Sequence, residues 1–284
     1  MALITVKEIF TPPPKGWAIG AFNVHNLEDV QAVVWAASEL ESPVIIQVSE
    51  SAYKYAGGGY ISSIVKAAAQ ETKVPIALQL DHGKDFNLIL EAMRHGFTSV
   101  MIDGSHLPFE ENIALTARVV ENARKFGISV EGELGRVGGK EDDIEVSQSK
   151  AFLTDPDQAV TFVEETGIDL LAPAIGTMHG LYRGEPKIDF DRLAEIRSKV
   201  NVPLVLHGGS DLSEAIIERV IDLGVAKINV GTDLKYAMTD GIKEYLAEKP
   251  DEFEPRKVFA AARAKGQALV MDKIRQFKSA NRVD

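Results

Sequence analysis

No cysteine occurs among the 284 residues, so disulfide frameworks, thiolate nucleophiles and cysteine-based zinc sites are excluded. Any metal must be held by histidine and carboxylate. Positive charge is scarce too: 31 Lys and Arg against 42 Asp and Glu leave a net charge of -11. Nucleic acids and anionic membranes are gripped by clustered Lys and Arg, and this balance argues against both. It leaves room for a small phosphorylated molecule held by a few local donors. Apolar runs stay short of the roughly 18 residues a membrane span needs, and no secretory leader is recognisable, so a soluble, cytoplasmic protein is expected. The sequence also lacks any linker rich in Pro, Gly or Ser, and Pro12-Pro13-Pro14 lies too near the start to divide anything. One domain over residues 1–284 is expected, with enough apolar content, 45%, to bury a substantial core.

What is present is a repeat of short, β-branched apolar runs, each followed by a polar turn and a longer stretch of helical periodicity. Eight such runs predict strands at Trp17–Phe22, Val44–Val48, Ile76–Leu80, Ser99–Ile102, Ile128–Glu133, Asp169–Ala174, Pro203–Leu206 and Lys227–Val230. Helices are predicted near 27–41, 61–72, 85–95, 109–126, 156–166, 189–199, 213–223 and 233–247, with a last one near 255–278. Ser213 or Asp211 suits a helix N-cap, while Gly96, Gly127, Gly167 and Gly224 stand where helix C-termini want positive φ. Pro203-Leu-Val-Leu206 has the apolar continuity of a parallel strand covered on both faces. Eight β-then-α units in this length predict an α/β chain: a single (β/α)8 TIM barrel with an extra C-terminal helix, with an open doubly wound sheet as the alternative.

Barrels carry their chemistry at the C-terminal ends of their strands, and the residues there are reactive. Asp81-His82-Gly83 follows the third run and Asp103-Gly104-Ser105-His106 the fourth. Glu133 ends the fifth, and the sixth leads to Gly176-Thr177-Met178-His179-Gly180. His207-Gly208-Gly209-Ser210 and Asn229-Val230-Gly231-Thr232-Asp233 follow the last two. Three of the six histidines, His82, His179 and His207, thus occupy catalytic-face positions of three strands. Singly each suits a hydrogen-bonded loop histidine; converging, three neutral imidazoles with an open fourth position make a Lewis-acid metal site. His95, before Gly96, suits a helix C-terminus, and His25 and His106 suit structural roles.

Two glycine-rich turns, Gly208-Gly209-Ser210 and Gly231-Thr232, each lead into a helix after the seventh and eighth strands, where barrels bind phosphate on backbone amides. The stretch Glu133 to Asp143 has two readings: a solvated acidic loop, or a mobile carrier of a general base that closes over substrate.

The segments LQLDHG, SVMIDGSHLPFEENI, ELGRVGGKEDD, AIGTMHG, PLVLHGGS and KINVGTDLK resemble, in order and spacing, the class II ketose-bisphosphate aldolases, and the resemblance covers essentially the whole chain. It implies a (β/α)8 barrel and a divalent cation, usually zinc, on His82, His179 and His207. Asp103 and Glu133 would form a second divalent-metal position, and a monovalent cation is implied as well. Asp81 would move the proton of the C4 hydroxyl and Glu141 that of dihydroxyacetone phosphate. Asn23, Ser49, Gly180, Gly208, Gly209, Ser210, Asn229, Val230, Gly231 and Thr232 would hold substrate, with Arg256 on the distal phosphate. One position departs: Lys140 stands where longer class II chains carry a carboxylate, which weakens the case for a filled second position. AIGTMHGLY, PKIDFDRLAEIR and TDLK look more like tagatose enzymes, and VSESAYKYAGG more like fructose ones.

The implied reaction is reversible cleavage of a ketohexose 1,6-bisphosphate, fructose or tagatose, to dihydroxyacetone phosphate and glyceraldehyde 3-phosphate through a zinc-stabilised enediolate. A second reading has Asp81 orienting a metal-bound histidine. The rivals are a Schiff-base aldolase using Lys227 and a non-catalytic sugar-phosphate binding protein. The Ala-rich segment Phe259–Leu269 is apolar enough to pack on a partner, so a homodimer or homotetramer is expected.

Overall fold

The structure, a computed structural model, describes residues 3–141, 144–146, 151–182 and 184–283; of residues 140, 141 and 144–146 it describes the backbone alone. Eight strands, β1 (Ile19–Asn23), β2 (Val44–Ser49), β3 (Ile76–Gly83), β4 (Ser99–Ile102), β5 (Ser129–Leu134), β8 (Leu170–Pro173), β10 (Leu204–Leu206) and β11 (Val225–Val230), pair in parallel. They close into a barrel in the order β1-β11-β10-β8-β5-β4-β3-β2. All are buried along their length, as expected when helices cover the outside and side chains fill the inside.

The covering helices are α2 (Leu27–Glu39), α4 (Gly58–Gln70), α5 (Phe86–Arg94), α6 (Phe109–Arg124), α7 (Pro156–Thr166), α8 (Phe190–Lys199), α9 (Glu214–Asp222) and α10 (Thr232–Glu248), and α11 (Pro255–Gln276) is the extra C-terminal helix. α5 shows why they dock: Leu88, Ile89, Ala92 and Met93 form one buried stripe at helical spacing, and Asp85 caps the first turn through the Asn87 amide. The four glycines expected at helix ends do take positive φ. At α9 the N-cap is Ser213, without a side-chain cap bond; the Asp211 carboxylate instead accepts from the Tyr182 amide.

Five short elements were not foreseen. The short helix α1 (Val6–Ile9) closes the N-terminal end of the barrel, where Val6 and Phe10 join Ile19, Ala21, Ile45, Ala77, Leu170 and Val205 in a separate apolar cluster. A second short helix, α3 (Glu50–Ala56), precedes α4. The stretch read as a loop after Glu133 contains β6 (Gly138–Glu141) and β7 (Ile144–Val146), antiparallel to each other, and β6 pairs in parallel with β9 (Met178–His179).

Period-2 alternation explains what fills the barrel. Every second residue points inward, so β2 contributes Ile45 then Gln47, β3 Ala77, Gln79 then Asp81, β5 Glu131 then Glu133, and β11 Lys227 then Asn229. The floor is apolar, the middle polar and charged, and the upper rim carries the chemistry. The Ala-rich segment of α11 is used within the chain: a Cβ on Gly266 would meet Met238, Ala32 and Leu234, and one on Gly241 would meet Ala261 and Ala262 backbone.

Candidate metal centre and active site

His82 reaches the rim through an irregularity. The β3–β4 register shifts between Leu80 and Gly83, and His82 takes φ 47°, a sparsely populated conformation for a non-glycine residue. Such a bulge re-aims side chains, and here it lets consecutive Asp81 and His82 both serve the barrel mouth. His179 sits on β9 between two close backbone approaches. A Cβ on Gly139 would lie 2.2 Å from the His179 carbonyl oxygen, and one on Gly208 2.3 Å from that of Met178. Both glycines also have positive φ, 101° and 67°, so no other residue fits either position without moving the His179 strand.

The three imidazoles meet. Ring centroids lie 5.0 Å apart for His82 and His179, 4.7 Å for His82 and His207, and 5.8 Å for His179 and His207. One nitrogen from each lies within 4.8 Å of the others, and His82, Asp103 and Glu133 form a second such group. His82 Nδ1 is 3.3 Å from Asp103 Oδ2 and 3.7 Å from Glu133 Oε2. Glu133 Oε2 and His207 Nδ1 face each other at 3.4 Å, both buried and neither hydrogen-bonded. Buried orphan polar atoms are costly, about 1–3 kcal/mol each. A cation among these donors would satisfy both, so the residues present fit a divalent metal on imidazole and carboxylate.

Electrostatics agree with that fit. Burial pushes the Asp103 carboxyl up, but the His82 hydrogen bond and charge, the Ser105 hydroxyl and Lys84 outweigh it and hold the group well below the usual range. Ser105 Oγ donates to Asp103 at 2.6 Å. Burial works to lower the His207 pKa, but the facing Glu131 and Glu133 carry it up to about 9. A cation held on this imidazole would have to displace a proton near neutral pH, so its binding would strengthen as pH rises toward that value.

Asp81 is fully buried and bound by amides from three other strands. Asn23 Nδ2 donates to Oδ2 at 2.8 Å, Gln47 Nε2 to Oδ1 at 2.9 Å and Asn229 Nδ2 to Oδ1 at 3.4 Å. Ser49 is its register partner on β2, with its hydroxyl capping α3. The phosphate candidates gather at the start of α10. Gly231 at the N-cap has no side chain to offer the helix amides, Ser210 Oγ accepts from the Asp233 amide at 3.3 Å, and the Gly209 amide donates to Asn229. Gly180 has φ 91° and follows His179 directly. Val230 is buried at the end of β11.

Other candidates lie elsewhere. Arg256, in the first turn of α11, is 87% exposed and pairs with Glu254 at 2.9 Å, so nothing in this chain brings it to the cluster. Glu141 is on β6, which pairs with the His179 strand, but its side chain and that of Lys140 lie outside the described residues, as do Asp142 and Asp143. His25 bonds Asp29 at 2.9 Å, His95 accepts or donates to the Tyr53 hydroxyl at 2.7 Å, and His106 is exposed.

The chain matches the family model for fructose-bisphosphate aldolase class-II over residues 5–282. It belongs to that family. The aldolase is thus a carbon–carbon lyase acting on a ketose bisphosphate. It is 48% identical to a probable fructose-bisphosphate aldolase of Bacillus subtilis (strain 168), over 99% of both chains. It is 49% identical to the D-tagatose-1,6-bisphosphate aldolase subunit GatY of Klebsiella oxytoca, over 93% of both. Among solved structures, the YdjI aldolase from Escherichia coli K12 is 38% identical, with 95% of this chain and 94% of that one covered and a TM-score of 0.84. The Schiff-base alternative is not favoured: Lys227 is fully buried, its Nζ 2.6 Å from Glu131 Oε2. No described helix of the aldolase is long and apolar enough to cross a membrane.

Glu131, Gln47 and Gln79 escaped the sequence reading. Each stands at an inward position two residues before a strand-end residue: Gln47 before Ser49, Gln79 before Asp81 and Glu131 before Glu133. A polar residue two before Asp81 and an acid two before Glu133 were the available signals.

Proposed function

We propose that the aldolase reversibly cleaves a ketohexose 1,6-bisphosphate, fructose or tagatose, to dihydroxyacetone phosphate and glyceraldehyde 3-phosphate, with zinc held by His82, His179 and His207. The convergence of these three imidazoles at the barrel mouth is the observation that carries the reading. When bound, the cation supplies Lewis-acid charge beside the ketone oxygen. Asp103 and Glu133 are assigned a second divalent position sharing His82, and a monovalent cation is assigned as well.

In the cleavage direction Asp81 accepts the C4 hydroxyl proton as the C3–C4 bond breaks, leaving the bonding electrons on C3. The amides of Asn23, Gln47 and Asn229 keep its carboxylate oriented for that transfer. Glu141 then delivers a proton to C3, which releases the triose. Gly180, Gly208, Gly209, Ser210 and the start of α10 from Val230 to Thr232 hold the triose phosphate on backbone amides and the positive helix end, with Asn23, Ser49 and Asn229 on the substrate hydroxyls. The aldolase is assigned to the cytoplasm, as one domain over residues 1–284. Its assembly is assigned as a homodimer or homotetramer, and a monomer in light scattering at working concentration would refute that.

Steady-state kinetics with fructose and tagatose 1,6-bisphosphates side by side tests the substrate assignment: kcat/KM should be substantial for at least one, and turnover of neither would refute it. Arg256 is assigned to the distal phosphate. Arg256→Ala should raise KM for the bisphosphate about tenfold or more while sparing a ketose 1-phosphate, because an arginine–phosphate pair is charge-assisted and geometrically specific. Equal damage to both substrates would place its effect on structure or on the triose end.

A further inference from the structure

Beneath the imidazoles, the barrel interior holds a charged layer that neither the metal ligands nor the proton-transfer groups account for. Glu131 on β5 and Lys227 on β11 are both fully buried, and their strands are not neighbours in the barrel. Their 2.6 Å contact therefore crosses the interior. Gln79 Nε2 on β3 donates to the same oxygen, Oε2, at 2.9 Å. The other oxygen, Oε1, faces His207 Nε2 at 2.9 Å.

A carboxylate accepts and does not donate. The hydrogen between Glu131 and His207 consequently belongs to Nε2. An imidazole carrying its hydrogen there has its lone pair on Nδ1, and Nδ1 is the buried atom that faces the cation site without a hydrogen bond. We infer that Glu131, clamped by Lys227 and Gln79, is a positioning residue that fixes His207 in the Nε2–H form and aims Nδ1 at the metal. Lys227 is the counter-charge of this clamp, since a carboxylate alone in such an interior is costly, and not an amine that attacks a carbonyl. Carboxylates behind metal-bound histidines act in this way generally; here the layer also ties β3, β5, β10 and β11 together under the site. The inference rests on His207 being a metal ligand.

Two measurements test it. Glu131→Gln combined with Lys227→Met removes both charges together, so neither is left buried alone. Its zinc affinity, read by competition with a chromophoric chelator, should fall about 10- to 100-fold; a value within about twofold of the native one would overturn the inference. Because that variant could fail to fold, the native protein supplies the second readout. In zinc-loaded protein with 15N-labelled histidine, His207 should show its hydrogen on Nε2 and zinc on Nδ1. The opposite tautomer with zinc bound overturns the clamp alone, whereas native protein that takes up no zinc at His207 overturns the metal assignment as well.

Discussion

His207→Ala leaves a folded barrel that holds less than one zinc per chain and cleaves substrate about a thousandfold more slowly, or worse. The size of the loss follows from what the cation supplies, several kcal/mol of charge stabilisation, at a tenfold rate change for each 1.36 kcal/mol. Folding survives because the Glu131–Lys227 pair beneath remains intact and still neutral overall. Truncation leaves Glu131 Oε1 without its imidazole, a local cost rather than a global one. Zinc content by elemental analysis, beside circular dichroism, checks this; a full zinc complement in the variant would remove His207 from the ligand set.

Asp81→Ala and Glu141→Ala separate the two proton transfers. Exchange of a dihydroxyacetone phosphate hydrogen with deuterated water needs the cation and the base at the triose carbon, but no group at the C4 oxygen. Asp81→Ala should therefore lose cleavage by about 10² to 10⁴-fold, the usual worth of a positioned acid–base group, and keep the exchange. Glu141→Ala should lose both. The geometry makes this a demanding test, because Asp81 precedes His82 directly and accepts from three amides. If Asp81→Ala abolishes exchange as completely as cleavage while zinc stays bound, its carboxylate orients the site and does not carry the proton.

The barrel was legible because eight apolar runs each stop at a reactive residue, and a parallel strand buried on both faces leaves little else its composition can mean. The convergence of three histidines was legible for the same reason, since only three strand ends carry histidine followed by glycine. The bulge at His82 was not: nothing in Asp81-His82-Gly83 announces that the histidine itself takes the positive φ. Nor was the interior clamp. Lys227 on a strand admitted a Schiff-base nucleophile beside the commoner buried or paired lysine, and only closure of the barrel puts it opposite Glu131, nearly a hundred residues earlier in the chain. The segment after Glu133 reads as a loop because glycines and acids crowd it, yet Gly139 is there to let β6 lie against the His179 strand. In the Ala-rich run of α11, the small residues Gly266 and Ala262 let that helix press against α2 and α10.

The central claim is that this barrel breaks a carbon–carbon bond with a cation held by His82, His179 and His207. Its most direct test is to strip the native protein with a strong chelator, then follow cleavage of the ketose bisphosphate as zinc is returned. Activity should fall to background and recover in proportion to zinc, reaching its plateau at about one catalytic ion per chain. Full cleavage by metal-free protein, or a borohydride-trapped substrate adduct at Lys227, would contradict it.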